Sequence, residues 1–357
     1  MKELSRKAIS KFISAAFVIV ISLCYTHVEA KEIIIKLAHP NVPQHPMGEG
    51  YELFKSDLEK RSGGVFRVDI YDSSKYGNFD AVVQGLQMGV LQMGSDACNN
   101  FSVFNPQLMF LDMPFIIPSY EAADLITDGP IGKKLAGALE KNGILGLGYI
   151  DIGFRQVFAN RPIRKLEDAK GLKIRATHSK AHIAILKALG MNPTPVAWGE
   201  VYTALQQKTV DAIDIDLNLA WFNKFPEITK YVTLTRSFYS GHLVLVSKPF
   251  WEKLTPQEQS WINESFAVMQ KFERNKIRSN ESMIIQKIKE TGGEVIELSP
   301  EERARWIKAT ENVAPSFASA VPPELIEEMR KTIRAVSYTH LRAHETPEHL
   351  VCRLLLE

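Results

Sequence analysis

The chain has 357 residues, 45% of them hydrophobic and 24% charged, with a formal net charge of +2. That is enough chain for two domains with a sizeable core, in the composition of an ordinary globular protein. The near-neutral balance comes without a basic stripe or interleaved aromatics, which excludes a nucleic-acid partner.

The first thirty residues have the layout of a secretory signal. Lys2, Arg6, Lys7 and Lys11 make a basic region, Phe12 to Cys24 an apolar run, and Val28-Glu29-Ala30 a cleavage site of small residues. The run is short for a transmembrane helix. The mature protein is therefore expected to begin after Ala30, in the periplasm, with an uncleaved anchor as the alternative. At the other end, Val336 onward reads VSYTHLRAHETPEHLVCRLLLE. His340, His344, His349 and Cys352 invite a zinc reading, but His344 to His349 is one residue too long for HExxH, and Pro347 would break the helix. The run resembles a translated library adaptor, so residues 336–357 are expected to be a non-native tail. Without the two ends only Cys98 remains, which forms no intramolecular disulfide. No metal spacing survives, and no cofactor is expected.

Glu32 to His39 is a nearly continuous apolar run, as expected of a strand in a parallel sheet. A helix from about Met47 to Arg61, a strand at Phe66–Tyr71, a helix through Gln84 and Met88, and a strand at Leu91–Asp96 follow. This alternation predicts an α/β sheet, whose ligands bind beyond the carboxyl ends of the strands. His39, Ser74, Asp96 and Asn99 fall at those ends, and each also reads as an ordinary loop residue. Next come an apolar block at Leu111–Phe115, one helix across Glu121–Asn142, and a strand at Ile144–Asp151. The glycines of that strand make no GxGxxG, so no nucleotide is expected.

Gly153 to Arg175 reads GFRQVFANRPIRKLEDAKGLKIR. LKIR predicts a buried strand that ends in a cation. A guanidinium at a strand end facing a cleft suits a carboxylate, because its planar fork offers two parallel donors. On these residues alone, a structural ion-pair reading of Arg155 and Arg175 carries the greater weight. A helix from His178 to Leu189 closed by Gly190, a helix from Gly199 to Lys208, and a strand end with Asp214 and Asp216 follow. His242–Ser247 is another buried strand. Thr255 to Glu258 is a capping box, and no Gly or Pro interrupts the helix it opens until Gly292. That length, about 55 Å at the usual rise, would span two lobes, unless a kink divides it. A short strand, a second capping box at Ser299–Glu302, and a helix from near Pro323 complete the chain.

The run GFR…NRPI…EDAKGLKIR…ALGMNPTPVAWGEVYTALQQ…VDAIDID resembles the extracytoplasmic solute-binding proteins (DctP-type) of tripartite ATP-independent periplasmic (TRAP) transporters. LAHP…HP, SSKYGN, LDMPF and LVSKPFWEKL match as well, so the similarity covers Lys31 to Val336. The resemblance implies a two-lobed α/β periplasmic binding protein, type II-like, with a hinge and a long helix spanning both lobes. Lobe one would be 31–152 with 241–280, and lobe two 153–240 with 281–335. It also implies capture of a small organic acid for delivery to small and large membrane permease subunits, without catalysis. The family's carboxylate-binding arginine falls on Arg175, a more variable second contact on Arg155, and a ligand-packing aromatic on Trp198. The chain departs from the family where members read VDGxENP. Here VDAIDID puts Ile215 at the asparagine position between Asp214 and Asp216, and His178 stands where a small amide is common.

If they face the cleft, Asp96, Asp214 and Asp216 oppose a second carboxylate and accept hydrogen bonds from hydroxyls. Trp198 offers a face to a sugar ring. The expected ligand is therefore a hydroxylated acid such as a sugar acid, ahead of a four-carbon dicarboxylate or a keto acid. The competing class is a secreted hydrolase using His178 with an aspartate, but no serine or cysteine nucleophile motif stands beside that histidine.

Overall fold

The computed structural model describes residues 32–344, with side chains through Ala335. The expected signal segment 1–30 and residues 345–357 of the expected tail lie outside the described residues. Among the described residues, no helix is long and apolar enough to cross a membrane.

Eleven strands form two sheets. They are β1 (Ile33–Ala38), β2 (Phe66–Tyr71), β3 (Met93–Ala97), β4 (Ile144–Phe154), β5 (Gln156–Ala159), β6 (Lys173–Ala176), β7 (Asn192–Pro195), β8 (Ala212–Ile215), β9 (Tyr231–Leu234), β10 (Tyr239–Ser247) and β11 (Glu294–Glu297). The first sheet has the order β2-β1-β3-β10-β4 and the second β11-β9-β5-β8-β6-β7. Each contains one reversed strand. β10 is antiparallel to both β3 and β4, and β5 is antiparallel to both β8 and β9. These are the strands reached by crossing between sheets, β4 to β5 through Arg155 and β9 back to β10 through Thr235–Phe238.

The two crossings are pinned to each other. Arg155 N donates to Phe238 O at 3.0 Å, Ser237 N to Arg155 O at 3.3 Å, and Thr235 Oγ1 to the same carbonyl at 3.0 Å. Gly153, just before the crossing, has φ +121°, where a side chain is strained. A Cβ there would also stand 3.0 Å from Tyr120 Oη and 3.4 Å from Asp216 Cβ.

The long helix is unbroken from Pro256 to Glu290. Its capping box is complete, with Glu258 N donating to Thr255 Oγ1 and Thr255 N to Glu258 Oε2. Ile262, Phe266 and Met269 pack with Tyr51, Phe54 and Leu58 in the first core, while Ile284 and Ile288 pack with Ile213 and Ile215 in the second. One helix thus supports both lobes.

Three local features differ from expectation. The helix across Glu121–Asn142 is two helices, Tyr120–Thr127 and Pro130–Gly137, because Pro130 has no N–H to continue the first. Asn192–Pro195, where no strand was expected, is the edge strand β7, a place in a sheet that tolerates its prolines. The helix from Pro323, grouped above with the second lobe, packs on the first: Val321, Ile326 and Met329 share a core with Ala122, Ala123 and Ile126.

Candidate ligand-binding cleft

Arg175 ends β6 with its side chain buried at 5% exposure. Its Nε and Nη2 both donate to Val196 O, at 3.1 and 3.0 Å, and Nη1 finds no partner among the described residues. The guanidinium carbon lies 5.9 Å from the centre of the Trp198 ring. That ring is half-buried and meets Phe225 edge-on at 5.9 Å. Burial, together with the neighbouring charge of Arg155, pushes the Arg175 pKa down to about 9. The group is still a cation at neutral pH, but one that lacks a counter-ion.

Arg155 is also buried. Its Nη1 donates to Asp214 O at 2.8 Å and its Nη2 to Ser240 Oγ at 3.3 Å, while Nε has no partner. It lies 5.5 Å from the Phe238 ring centre. Among the described residues, no carboxylate stands within ion-pair distance of either arginine. The ion-pair reading of both residues fails on this point. A paired arginine needs no ligand; two buried arginines without a counter-ion are candidates for an anion site.

The acids nearby are committed elsewhere. Asp214 Oδ1 stands 3.4 Å from His182 Nε2, and Asp214 Oδ2 accepts from Ser237 Oγ at 3.4 Å. Thr177 N donates to His182 Nδ1 at 3.2 Å, which leaves the ring proton on Nε2, toward Asp214. Asp216 does not end a strand. It caps the helix Leu217–Phe222, accepting from Leu219 N at 2.9 Å, and its Oδ2 is buried without a partner. Burial raises its pKa to about 7. Asp112 accepts from both Asn99 Nδ2 and Ser179 Oγ, the latter at 2.6 Å, so one carboxylate ties the two lobes across the cleft.

The remaining expected residues lie in the first lobe. His39, just beyond β1, is buried, stacks on Tyr51 at 4.9 Å, and has neither ring nitrogen partnered. Asn99 lies buried after β3 with its Oδ1 free of partners. Asp96 is half-buried and accepts from Asn100 Nδ2 and Ala97 N, both at 2.7 Å, with burial raising its pKa to about 6. Two expected residues are not brought in. Ser74 is exposed in a left-handed turn of φ +58°, and His178 is exposed beside the N-cap of its helix. One turn further on, His182 takes the buried position that His178 was expected to fill. Sequence reasoning also missed His45, Asp112 and His242. The aspartate in the apolar LDMPF block and the histidine heading β10's apolar run were the signals available.

Two buried arginines without counter-ions, beside a crossing between the two sheets, mark the candidate ligand site. The model of bacterial extracellular solute-binding protein family 7 (DctP) matches residues 37–320. The chain belongs to this family, the solute-binding proteins of TRAP transporters. It is 34% identical over 244 residues to the 2,3-diketo-L-gulonate-binding periplasmic protein YiaO of Escherichia coli, covering 68% of this chain and 74% of that one. It is 32% identical to the C4-dicarboxylate-binding periplasmic protein DctP of Rhodobacter capsulatus, covering 83% and 90%. Among solved structures, the sugar acid binding protein DctPAm from Advenella mimigardefordensis in complex with galactonate superposes with a TM-score of 0.83. That match has 27% identity and covers 85% of this chain and 99% of the other.

Proposed function

We propose that the chain captures an organic acid in the periplasm by a carboxylate bound to Arg175, with Arg155 in support, and hands it to the small and large subunits of a membrane permease. The observation that carries this reading is the buried Arg175 guanidinium, with Nη1 unpartnered and no counter-ion. The ligand class we favour is a hydroxylated acid, such as a sugar acid, over a four-carbon dicarboxylate. Arg155 is already held by Asp214 O and Ser240 Oγ, which leaves it less free to pair with a second carboxylate. The relatives that bind diketogulonate and galactonate support this preference, and the dicarboxylate relative supports the alternative. In the same reading, export begins with cleavage near Ala30, the lobes divide near residues 153 and 240, and residues from 336 are foreign to the protein.

The hydrolase reading gains one observation, a Thr177–His182–Asp214 arrangement with Thr177 Oγ1 3.0 Å from His182 Nδ1. That hydroxyl is held in a turn, accepting from Ser179 N at 3.3 Å. We expect no turnover of esters or lactones, and measurable hydrolysis that is lost in Thr177→Val would reverse the assignment. For the binding reading, thermal-shift screening of acids followed by calorimetry on Arg175→Ala decides. Breaking a buried charge pair costs about 3–5 kcal/mol, so affinity should fall by roughly a hundred- to a thousandfold or more. Undiminished affinity would refute the arginine assignment.

A further inference from the structure

Three histidines from separate elements lie close together in the first lobe. His39 follows β1, His45 caps the helix Pro46–Arg61, and His242 pairs with Ala97 of β3. All are buried, at 2%, 0% and 4% exposure. Only His45 Nδ1 has a clear task, accepting from Met47 N at 3.1 Å. Both nitrogens of His39, Nε2 of His45 and Nδ1 of His242 are buried without a partner. His45 also touches the second lobe, its ring 5.7 Å from that of Phe222. Buried polar atoms are rarely left unpaired, and this many at one wall implies a hydrogen-bonding ligand.

The chemistry of that ligand follows from the charge state of the wall. Burial drives the pKa of His39 to about 4 and those of His45 and His242 to about 3; the neighbouring His39 also lowers His45, and His45, His39 and Arg155 lower His242. All three are neutral at pH 7; His39 offers one donor and one acceptor, while His45, whose Nδ1 already accepts from Met47 N, offers its Nε2–H as a donor. Hydroxyl and keto oxygens suit such a wall. A second carboxylate does not, since the wall brings no charge and the unpartnered Oδ1 of Asn99 is an acceptor. Among the described residues, no three side chains converge as metal ligands.

We propose that His39, His45 and His242 are the specificity-determining wall that reads the uncharged, oxygen-rich end of an acid held by one carboxylate at Arg175. The proposal rests on the carboxylate reading above. The test is calorimetry of the mature protein with galactonate, 2,3-diketo-L-gulonate, succinate and hexanoate, the last a carboxylate of six carbons without hydroxyls. Wild type should bind one of the two oxygen-rich acids at least a hundredfold tighter than hexanoate. His39→Phe and His242→Phe, which keep a ring but lose its nitrogens, should each cut that preference at least tenfold. His39→Gln should restore part of it. Nitrogen NMR of the wild-type imidazoles avoids any folding defect of the variants, and their resonances should shift when the preferred acid saturates the site. Unmoved rings, an undiminished preference in both Phe variants, succinate as the tightest ligand, or no binding of either oxygen-rich acid would each overturn the proposal. Binding retained in Arg175→Ala would instead refute the carboxylate reading on which it stands.

Discussion

A buried titratable side chain changes what pH does to the fold, and this cleft holds groups that act in opposite directions. His242 has a folded pKa of about 3, below its ordinary 6.5. Its contribution is therefore intact above pH 6.5 and is lost as pH falls toward 3, where the unfolded ring takes a proton that the folded ring refuses. Asp216 has a folded pKa of about 7, above its ordinary 3.8. Its contribution is present below pH 3.8 and is lost as pH rises through 7. Each pKa unit corresponds to about 1.4 kcal/mol. Relative to wild type, His242→Asn should gain melting temperature as pH drops from 6.5 to 4, and Asp216→Asn should gain as pH rises from 4 to 7. Thermal melts across that range, without ligand, check both signs. Arg175 was readable as a buried cation at a strand end, whereas Trp198 came only from the family resemblance. The histidine wall was not readable, since its three rings meet only through tertiary packing of a strand end, a helix cap and a distant strand.

At the level of elements, the long helix carries a buried ionic network as well as two cores. Asp151, on β4 and fully buried, accepts from Tyr239 Oη at 2.6 Å and from Arg278 Nε at 2.8 Å. Arg278 continues to Asp124 with both terminal nitrogens, and Arg274 holds Asp128 and Tyr149 O. Further along, Asn218 Nδ2 donates to the helix carbonyl of Ile277 at 3.0 Å, tying the second lobe to the same rod. Removing one partner of a buried charge pair costs about 3–5 kcal/mol. Asp151→Ala should accordingly lose about that much in urea denaturation, with ligand affinity less affected because Asp151 belongs to the helix joint. A loss below about 1 kcal/mol would mean that the arginines find other partners. The helix itself was readable from its capping box and its freedom from Gly and Pro. The network was not readable, because an Arg four residues from another on a helix face reads as solvated charge until β4 is laid beside it.

At the scale of the molecule, alternation of apolar runs with helices gave the α/β class, and the family motifs gave two lobes. β5 and β9 escaped notice because each is only four residues long and joins a crossing. The last helix was misplaced because nothing in its own sequence says which lobe's surface complements it. Among these features, the β4–β5 crossing governs how the lobes move. The one residue between the strands, Arg155, bonds Asp214 of the second sheet and Ser240 of the first through its guanidinium, and its backbone is paired to the return crossing. Parting the lobes at this crossing would strain those side-chain bonds, and would also pull on the Asp112–Ser179 bond across the cleft. Arg155→Lys, which cannot fork to both, should therefore speed ligand release more than it slows capture in stopped-flow Trp fluorescence; an unchanged release rate would mean that opening does not strain this residue. Arg155 would then set how long a captured molecule dwells between the lobes, and a protein that must surrender its cargo at a membrane is tuned as much by that residence time as by affinity.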